Sequence, residues 1–340
     1  MPRYILKRLL MLVPVLLGVT FIVFSLLHIT PGDPALIALG PNATPAAYEQ
    51  MKKDMGLDAP FLVQYKRFLL GYKHEVFGYK GLLFGDLGRS YVTNRNVFEM
   101  IMGSFPNTLL LATGALLFAA LLGVPVGILS AIRQYSVLDM VSTVMALAGV
   151  AMPVFWLAMV LIYVFAETLG FLPSLADPRN PVSMILPITT LGLYSTALIL
   201  RMTRSAMLEI MRTDYVRTAR AKGMDEHLVV RKHALRNAMI PIVTVIGLEF
   251  GALLGGAVLT EQIFAYPGIG TIMFKAIGEK DTPQILGSVC FVALVFTVVN
   301  LIVDILYGFI DPRVKASIQS SKSVNFKVVW NEFISRVRRK

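Results

Sequence analysis

The sequence predicts an all-α protein that crosses a membrane six times. Two observations carry that reading. Hydrophobic residues make up 56% of the chain, charged residues only 16%, and the mean hydropathy is +0.67, well away from a soluble globular composition. Six segments also approach the roughly 20 mainly apolar residues that a helix needs to cross a bilayer core. They are residues 9–29, 106–131, 140–165, 184–200, 239–261 and 285–310.

The first segment follows Arg3, Lys7 and Arg8, as the apolar part of a signal peptide would. Its run is too long for that, and Thr30-Pro31-Gly32 is a poor cleavage site, so it reads as a retained helix. Residues 30–105 form a large outer loop. Within it PGDP, from Pro31, ends the first helix, Pro45 opens a helical pattern toward Met55, and Pro60 opens another through Tyr65 and Phe68. GDLGRS, from Gly85, reads as a turn-rich strand or loop ahead of a short helical stretch from Val97 to Met102. The loop is expected to cap the outer ends of the spans, and either stops there or also meets an external partner.

Pro125 and Pro153 interrupt the second and third spans, which is tolerated where neighbours or water satisfy the freed carbonyls. The fourth span is the shortest. In the fifth, Gly247, Gly251 and Gly255 recur at i, i+4 and i+8, a face suited to close helix approach within this chain or to a sister chain. Glu249 lies mid-span, where an ionised carboxylate costs about 2.5–3.5 kcal/mol. It is expected to face a cavity or a partner, as a structural hydrogen bond or a cargo contact, and with the three glycines it forms the candidate translocation pathway. In the sixth span Asn300, Asp304, Tyr307 and Asp311 make a polar stripe. Arg201 and Arg204 leave the fourth span at similar depth, and a salt bridge from Asp304 to one of them is expected to lock the inner ends together. Beyond it, residues 313–340 are basic, and Phe326, Val329, Trp330, Phe333 and Val337 share a helical face, either an interfacial helix or a solvated extension.

The net charge of +11 would suggest nucleic acid for a soluble protein. Here it reports orientation. With the N-terminus in the cytoplasm, the inside segments carry 3, 1, 9 and 8 Lys plus Arg, against 8, 1 and 2 outside. The outer eight lie in the long loop, which counts little in the positive-inside rule. Both termini and residues 201–238 are therefore placed inside, where basic patches favour anionic lipid headgroups; nucleic acid is not expected as a partner. Cys290 has no partner cysteine and reads as packing. His28, His74, His227 and His233 lack metal-ligand spacing, no phosphate-binding Gly-Lys loop occurs, and no nucleophile–base or paired-carboxylate arrangement can be argued.

The most distinctive stretch is 214–241, DYVRTARAKGMDEHLVVRKHALRNAMIP. Arg217, Arg220, Lys222, Arg231, Lys232 and Arg236 accompany the small residues Ala219, Ala221 and Gly223 on an expected helix-turn. Such a composition suits a docking surface, the alternative being lipid-facing positive-inside charge.

Taken together, PGDP at Pro31, MGLDAP with QY from Met55 to Tyr65, GDLGRS at Gly85, PNTL at Pro106, RMTRSAMLE at Arg201, DYVRTARAKG at Asp214, HALRNAMIP at His233, FAYPGIG at Phe264 and VDILYGFIDPR at Val303 resemble one family. It is the permease subunits of ATP-binding-cassette importers, in the dipeptide/oligopeptide/nickel branch. The resemblance runs to about Val314. It implies a type I importer permease fold, with residues 106–312 as a five-helix core around a coupling loop at 201–238. By the same resemblance, Arg217, Thr218, Ala219, Arg220, Ala221, Lys222, Gly223, His233 and Pro241 belong to the loop that enters a groove of a separate ATPase. Residues 217–219 stand where the generic family pattern has an acidic lead, as in the peptide branch. The implied partners are a second, non-identical permease, two ATPase subunits that bind ATP and magnesium, an external substrate-binding protein and membrane lipid. This chain then carries no cofactor and no ATPase site, and sits in a bacterial cytoplasmic membrane. The implied cargo is a dipeptide or oligopeptide; nickel complexes, glutathione and other small solutes are alternatives. An ion-coupled secondary transporter would need midplane carboxylates, for which Glu249 is the one candidate, and a membrane enzyme would need a reactive constellation.

Overall fold

The computed structural model describes residues 2–40 and 43–310. Its helices are α1 (Pro2–Ile29), α2 (Pro34–Leu39), α3 (Pro45–Asp54), α4 (Phe61–Leu70), α5 (Val97–Ile132), α6 (Val137–Ala151), α7 (Val154–Leu161) continuing as a π-helical turn (Ile162–Thr168), α8 (Ile185–Met211), α9 (Asp214–Ala221), α10 (Glu226–Leu228), a second π turn (Val229–Leu235), α11 (Arg236–Gly256), α12 (Val258–Ile263), α13 (Ile269–Gly278) and α14 (Thr282–Ile310). Among the described residues five helices are long and apolar enough to span a membrane, and six when the bent pair Val137–Ala151 and Val154–Thr168 is counted as one span. The third span is therefore not the single interrupted rod expected from residues 140–165. It turns through 104° at Met152 and Pro153. Proline there starts a new helix instead of merely loosening one.

Other boundaries also move. The short helix expected at Val97–Met102 and the second span form one 36-residue helix, capped by the Asn96 side chain, which accepts from the Phe98 and Glu99 amides. Pro106 and Pro125 sit inside it without ending it. The fourth span extends to Met211, well past Leu200. The fifth stops at Gly256, and Glu261 belongs to a separate helix.

The longest seam in the bundle joins α5 to α8. Thr108, Ala112, Ala115, Ala119, Gly123, Gly127 and Ser130 are buried along one side of α5, and Thr190, Gly192, Ser195, Ile199 and Thr203 along α8. Without side chains at the glycines the backbones come very close. A Cβ at Gly127 would lie 2.8 Å from the Leu200 carbonyl oxygen, and one at Gly192 would lie 3.1 Å from the Ala115 carbonyl. In lipid, where burial gains little free energy between apolar helices, such approach supplies dispersion and weak polar contact. The glycines of α11 serve a similar end against α14. A Cβ at Gly247 would meet the Val303 side chain at 2.3 Å, at Gly251 Phe296 at 3.1 Å, and at Gly255 Val292 at 3.5 Å. Within this chain these contacts pack α11 against α14, the first of the two uses open to the stripe.

Two buried carboxylates tie the far end of the bundle. Glu261 is fully buried, accepting from the Thr108 hydroxyl at 2.7 Å and from the Gly270 and Thr271 amides at 2.7 and 3.2 Å. Those amides open α13, so a side chain from α12 caps another helix and bonds α5 in the same step. A Cβ at Gly268 would lie 2.2 Å from its carboxylate, which accounts for the glycines of FAYPGIG. Buried Tyr266 donates to the Asn107 carbonyl at 2.9 Å, and Asn107 donates back to the Pro267 carbonyl at 2.8 Å, so PNTL and FAYPGIG are one structure. Asp281, at the start of α14, accepts from the Ser90 hydroxyl and from the Tyr91 amide at 3.0 Å, which binds GDLGRS to the bundle. Burial pushes the Asp281 carboxyl above its usual range, and these donors oppose the shift. Asp33 of PGDP caps α2 through the Ala35 amide and accepts from the Tyr48 hydroxyl at 2.7 Å, while Tyr65 donates to the Leu17 carbonyl of α1 at 2.9 Å. Among the described residues the cap forms no strand, only the isolated bridges Tyr72–Tyr79 and Arg89–Asn96.

The expected bridge from Asp304 to Arg201 or Arg204 is not formed. Asp304 pairs with Arg8 of α1 at 2.8 Å. The reason is topological: α14 packs on α1 and α11, whereas α8 packs on α5, α6 and α11. Asn300 lies on the same side of α14, its carboxamide oxygen buried without a hydrogen-bond partner among the described residues. The Tyr307 side chain, Asp311 and the basic tail 313–340 lie outside what is described.

Gly127→Ala, which forces a methyl group against backbone, is expected to destabilise the protein by about 1–3 kcal/mol. Gly255→Ala, at ordinary contact distance, should be nearly neutral. Thermal melting of the detergent-solubilised variants checks the contrast, and equal midpoints would contradict the seam.

Candidate functional site

The distinctive basic segment folds as an arm on the end of α8. One side of α9 turns inward: Val216 is fully buried and Ala219 nearly so, packing with Val229, Ile210 and Met224. The other side presents Tyr215, Arg217, Thr218, Arg220, Ala221 and Lys222 to the outside. The helix stops in a complete Schellman motif. The Gly223 amide donates to the Arg220 carbonyl at 2.9 Å and the Met224 amide to the Ala219 carbonyl at 3.4 Å. Gly223 itself has φ +74°, and open space surrounds the position of a Cβ. Its glycine thus answers a backbone requirement and not crowding. Ala219 is likewise small because it faces the chain's own cluster, so of the three small residues only Ala221 and Gly223 are available to a partner.

Across the turn, Asp225 caps α10 by accepting from the His227 amide at 2.9 Å. Arg220 reaches Glu226 with a two-pronged contact, Nε to Oε2 at 3.0 Å and Nη2 to Oε1 at 2.6 Å. The pair staples the arm closed, and hydrogen bonding to Glu226 raises the Arg220 pKa further. Arg217 stands 3.9 Å from Asp214, both well exposed. The segment 201–238, expected as a loop, is therefore mostly helical. It re-enters the bundle through the π turn that holds Arg231, Lys232 and half-buried His233, and Pro241 lies inside α11 five residues after that helix begins. A π turn widens the helix where the arm joins the span.

Directly above the arm, α8 is locked to α5 and α6. Asp139, 3% exposed, accepts from Arg204 Nε at 2.6 Å and Nη2 at 2.9 Å, from the Ser130 hydroxyl at 2.5 Å and from the Tyr135 amide at 2.9 Å. Ser136 caps α6 by accepting from the Asp139 amide. One carboxylate thus gathers the end of α5, the start of α6 and the last turns of α8. Glu249, the expected pathway residue, accepts from the Ser195 hydroxyl of α8 at 2.9 Å. Asp139, Ser195 and Glu261 were not singled out from sequence. Ser136 followed three residues later by Asp139 is a capping spacing from which the first of them could have been found.

Asp139→Asn is expected to destabilise the protein by roughly 3 kcal/mol, the low end for a broken buried pair because Arg204 is 26% exposed. Adding Arg204→Met should restore much of the loss, and a double variant as unstable as the single one would refute the pairing. Gly223→Ala forces a left-handed conformation on an L-residue at about 1–2 kcal/mol. Exchange of the Gly223 and Met224 amides should accelerate by about five- to thirtyfold; unchanged exchange would contradict the motif.

Most of the chain matches known proteins. The family described as "Binding-protein-dependent transport system inner membrane component" matches residues 123–316, and its N-terminal counterpart matches residues 1–112. A dipeptide transport system permease protein, DppB, of Alkalihalophilus pseudofirmus is 42% identical across 93% of this chain and 100% of its own length. The Escherichia coli K12 DppB is 38% identical, across 93% and 99%. A glutathione transport system permease protein, GsiC, of Salmonella paratyphi A is 40% identical, also across 93% and 99%. Among solved structures, the inward-facing MetNI methionine ABC transporter superposes with a TM-score of 0.53 at 19% identity, over 63% of this chain and 97% of that one, a likeness of fold. The chain belongs to the binding-protein-dependent inner membrane components, as a multi-pass permease subunit of an ATP-binding-cassette importer in the dipeptide/oligopeptide branch.

Proposed function

We propose that this chain is one of two non-identical permeases in an importer that moves short peptides into the cytoplasm. A single observation carries the coupling part of this reading. The chain holds out a pre-folded basic arm, α9, anchored inward by Val216 and Ala219 and stapled by Arg220 and Glu226. A short helix fixed at both ends transmits force, where a flexible loop would absorb it. Arg217 and Lys222 are the cations on it that a partner's acidic groups would meet, and Ala221 with Gly223 gives close approach. In this reading the basic end and both termini lie in the cytoplasm, and ATP and magnesium bind two ATPase subunits that seat this arm and its counterpart. This chain hydrolyses nothing. A binding protein delivers cargo to the cap, and closure of the ATPases rocks the spans open outward.

Peptide cargo is supported by the dipeptide permeases among the relatives. Glutathione, itself a small peptide, is the second reading, supported by the glutathione permease. Glu249 bonded to Ser195 favours a structural role over ion coupling, since its carboxylate already has a donor within the chain.

The complex, purified from its native membrane and placed in proteoliposomes, tests this. Labelled dipeptide should enter only with ATP on the ATPase side and with the binding protein present. Competition by unlabelled dipeptide, glutathione or a nickel complex ranks the cargo. Uptake without ATP, driven by a proton gradient, would overturn the proposal.

A further inference from the structure

The outer loop, expected to cap the spans, contains one helix that lies deeper. The apolar window of α1, Leu10–Ile29, is 20 residues long and so fills the roughly 30 Å hydrocarbon core from end to end. Ile29 then marks the membrane edge on the cap side, and each residue before it adds about 1.5 Å of depth. Helix α4 packs against this stretch and not above it. The Tyr65 hydroxyl donates to the Leu17 carbonyl at 2.9 Å and lies 3.1 Å from the Thr20 hydroxyl, on the order of 15 Å below Ile29. The Phe61 ring stands 5.1 Å from those of Phe24 and His28, and the Tyr65 ring 5.3 Å from that of Phe21. The second neighbour agrees. Phe68 shares a buried cluster with Leu286 and Cys290, about 6 and 12 Å into α14 from Thr282. Both ends of α4 therefore sit below the outer ends of two spans at similar depth, and the helix crosses from α1 to α14 within the leaflet.

The three sides of α4 fit that place. Phe61, Tyr65 and Phe68 face the bundle. Gln64 donates to the Leu57 and Ala59 carbonyls at 3.2 and 2.7 Å, and Arg67 to the Gly56 carbonyl at 2.9 Å, so the polar side is turned to the cap's own backbone. The third side is exposed. On it Leu62, Lys66 and Leu70 recur at i, i+4 and i+8, with Val63 beside them, and Leu62 is 68% exposed. The 3₁₀ turn Leu82–Phe84, whose Leu82 joins the α4 cluster, adds exposed Leu83 and Phe84. Ile22, Leu26 and Ile29 of α1, at the same depth, are exposed as well, so the patch continues the surface that α1 turns to lipid. Lys66 separates lipid from a protein cover. It forms no ion pair among the described residues, and a protein lid would bury its charge among leucines. In a bilayer the same side chain lays its stem along the acyl region and puts its ammonium at the phosphates.

We propose that α4 is an in-plane membrane helix seated in the leaflet on the cap side, with Leu62, Leu70 and Phe84 among acyl chains and Lys66 at the headgroups. Amphipathic helices of this kind bury their apolar face about 5–10 Å into the boundary between headgroups and chains. This placement requires only that α1 and α14 cross the membrane, and it is independent of cargo and of which terminus lies inside. It anchors the cap to the bilayer itself, and through Tyr65 it holds α1, whose window is mostly exposed, against the bundle.

Spin-label accessibility tests this in the intact complex, reconstituted in nanodiscs of phosphatidylethanolamine and phosphatidylglycerol. Single substitutions Leu62→Cys, Leu70→Cys and Phe84→Cys carry the label, and Lys53→Cys on α3, also exposed, serves as the aqueous reference. The wild type, whose Cys290 is buried, gives the blank. Labels on α4 should collide freely with oxygen, be shielded from a water-soluble nickel chelate, and report depths of about 5–10 Å inside the headgroup boundary. The Lys53→Cys label should show the reverse. Nickel access at Leu62 and Leu70 equal to that at Lys53 would place α4 in water and overturn the proposal. Shielding of those two positions from both reagents would overturn it as well, because a protein neighbour would then cover the face.

Discussion

The close seam between α5 and α8 is the constraint on which the rest of the structure depends. Two apolar helices in a bilayer gain little from burying each other, so their contact must come from shape. Ala115, Ala119, Gly123 and Gly127 on one side and Gly192 and Ser195 on the other let the backbones meet at distances that admit no further methyl group. Both ends of this seam are then fastened by carboxylates. Asp139 brings in α6 at the basic end, and Glu261 brings in α12 and α13 at the cap end through Thr108. Because α8 continues beyond the Asp139 clamp and leads into α9, the arm extends from a rod already joined to most of the bundle.

Five acidic side chains share one task. Asp33, Asp139, Asp225, Glu261 and Asp281 each accept from amides at or near a helix start. A helix terminus leaves amides without partners, and where water is excluded those amides need an acceptor within the protein. Exposed cations stand at both ends; at the basic end they include Arg201, Arg212, Arg217 and Lys222. The peripheral α1 is held differently, by Tyr65 at one level and by the Arg8–Asp304 pair at another, with only 11% of its most apolar window buried.

Hydropathy alone made the spans legible, and the motifs made the family legible, because both signals are local in sequence. What sequence did not disclose was pairing. Asp304 shares a helical face with Asn300, as periodicity required, but periodicity does not say which helix that face meets, and the partner is Arg8 instead of Arg201 or Arg204. Glu261 and Thr108 lie 153 residues apart, and Asp139 and Arg204 lie 65 apart, separations that no window spans. Pro153 illustrates a second gap: a proline in an apolar run signals a break, while its 104° bend depends on what packs around it. Gly223 shows the converse. Its place in the motif was readable, yet its reason, a left-handed turn in open space, is visible only in the backbone angles.

The central claim is that α9 is a rigid arm seated in an ATPase. Disulfide cross-linking tests it most directly. Ala221→Cys places a thiol on the exposed side of α9, and the sole native cysteine, Cys290, is buried. Paired with single cysteines around the ATPase groove in the intact complex, it should cross-link in high yield, arrest ATP-driven uptake, and regain uptake on reduction. An α9 thiol that finds no ATPase partner, or a cross-link that leaves transport unchanged, would contradict the account.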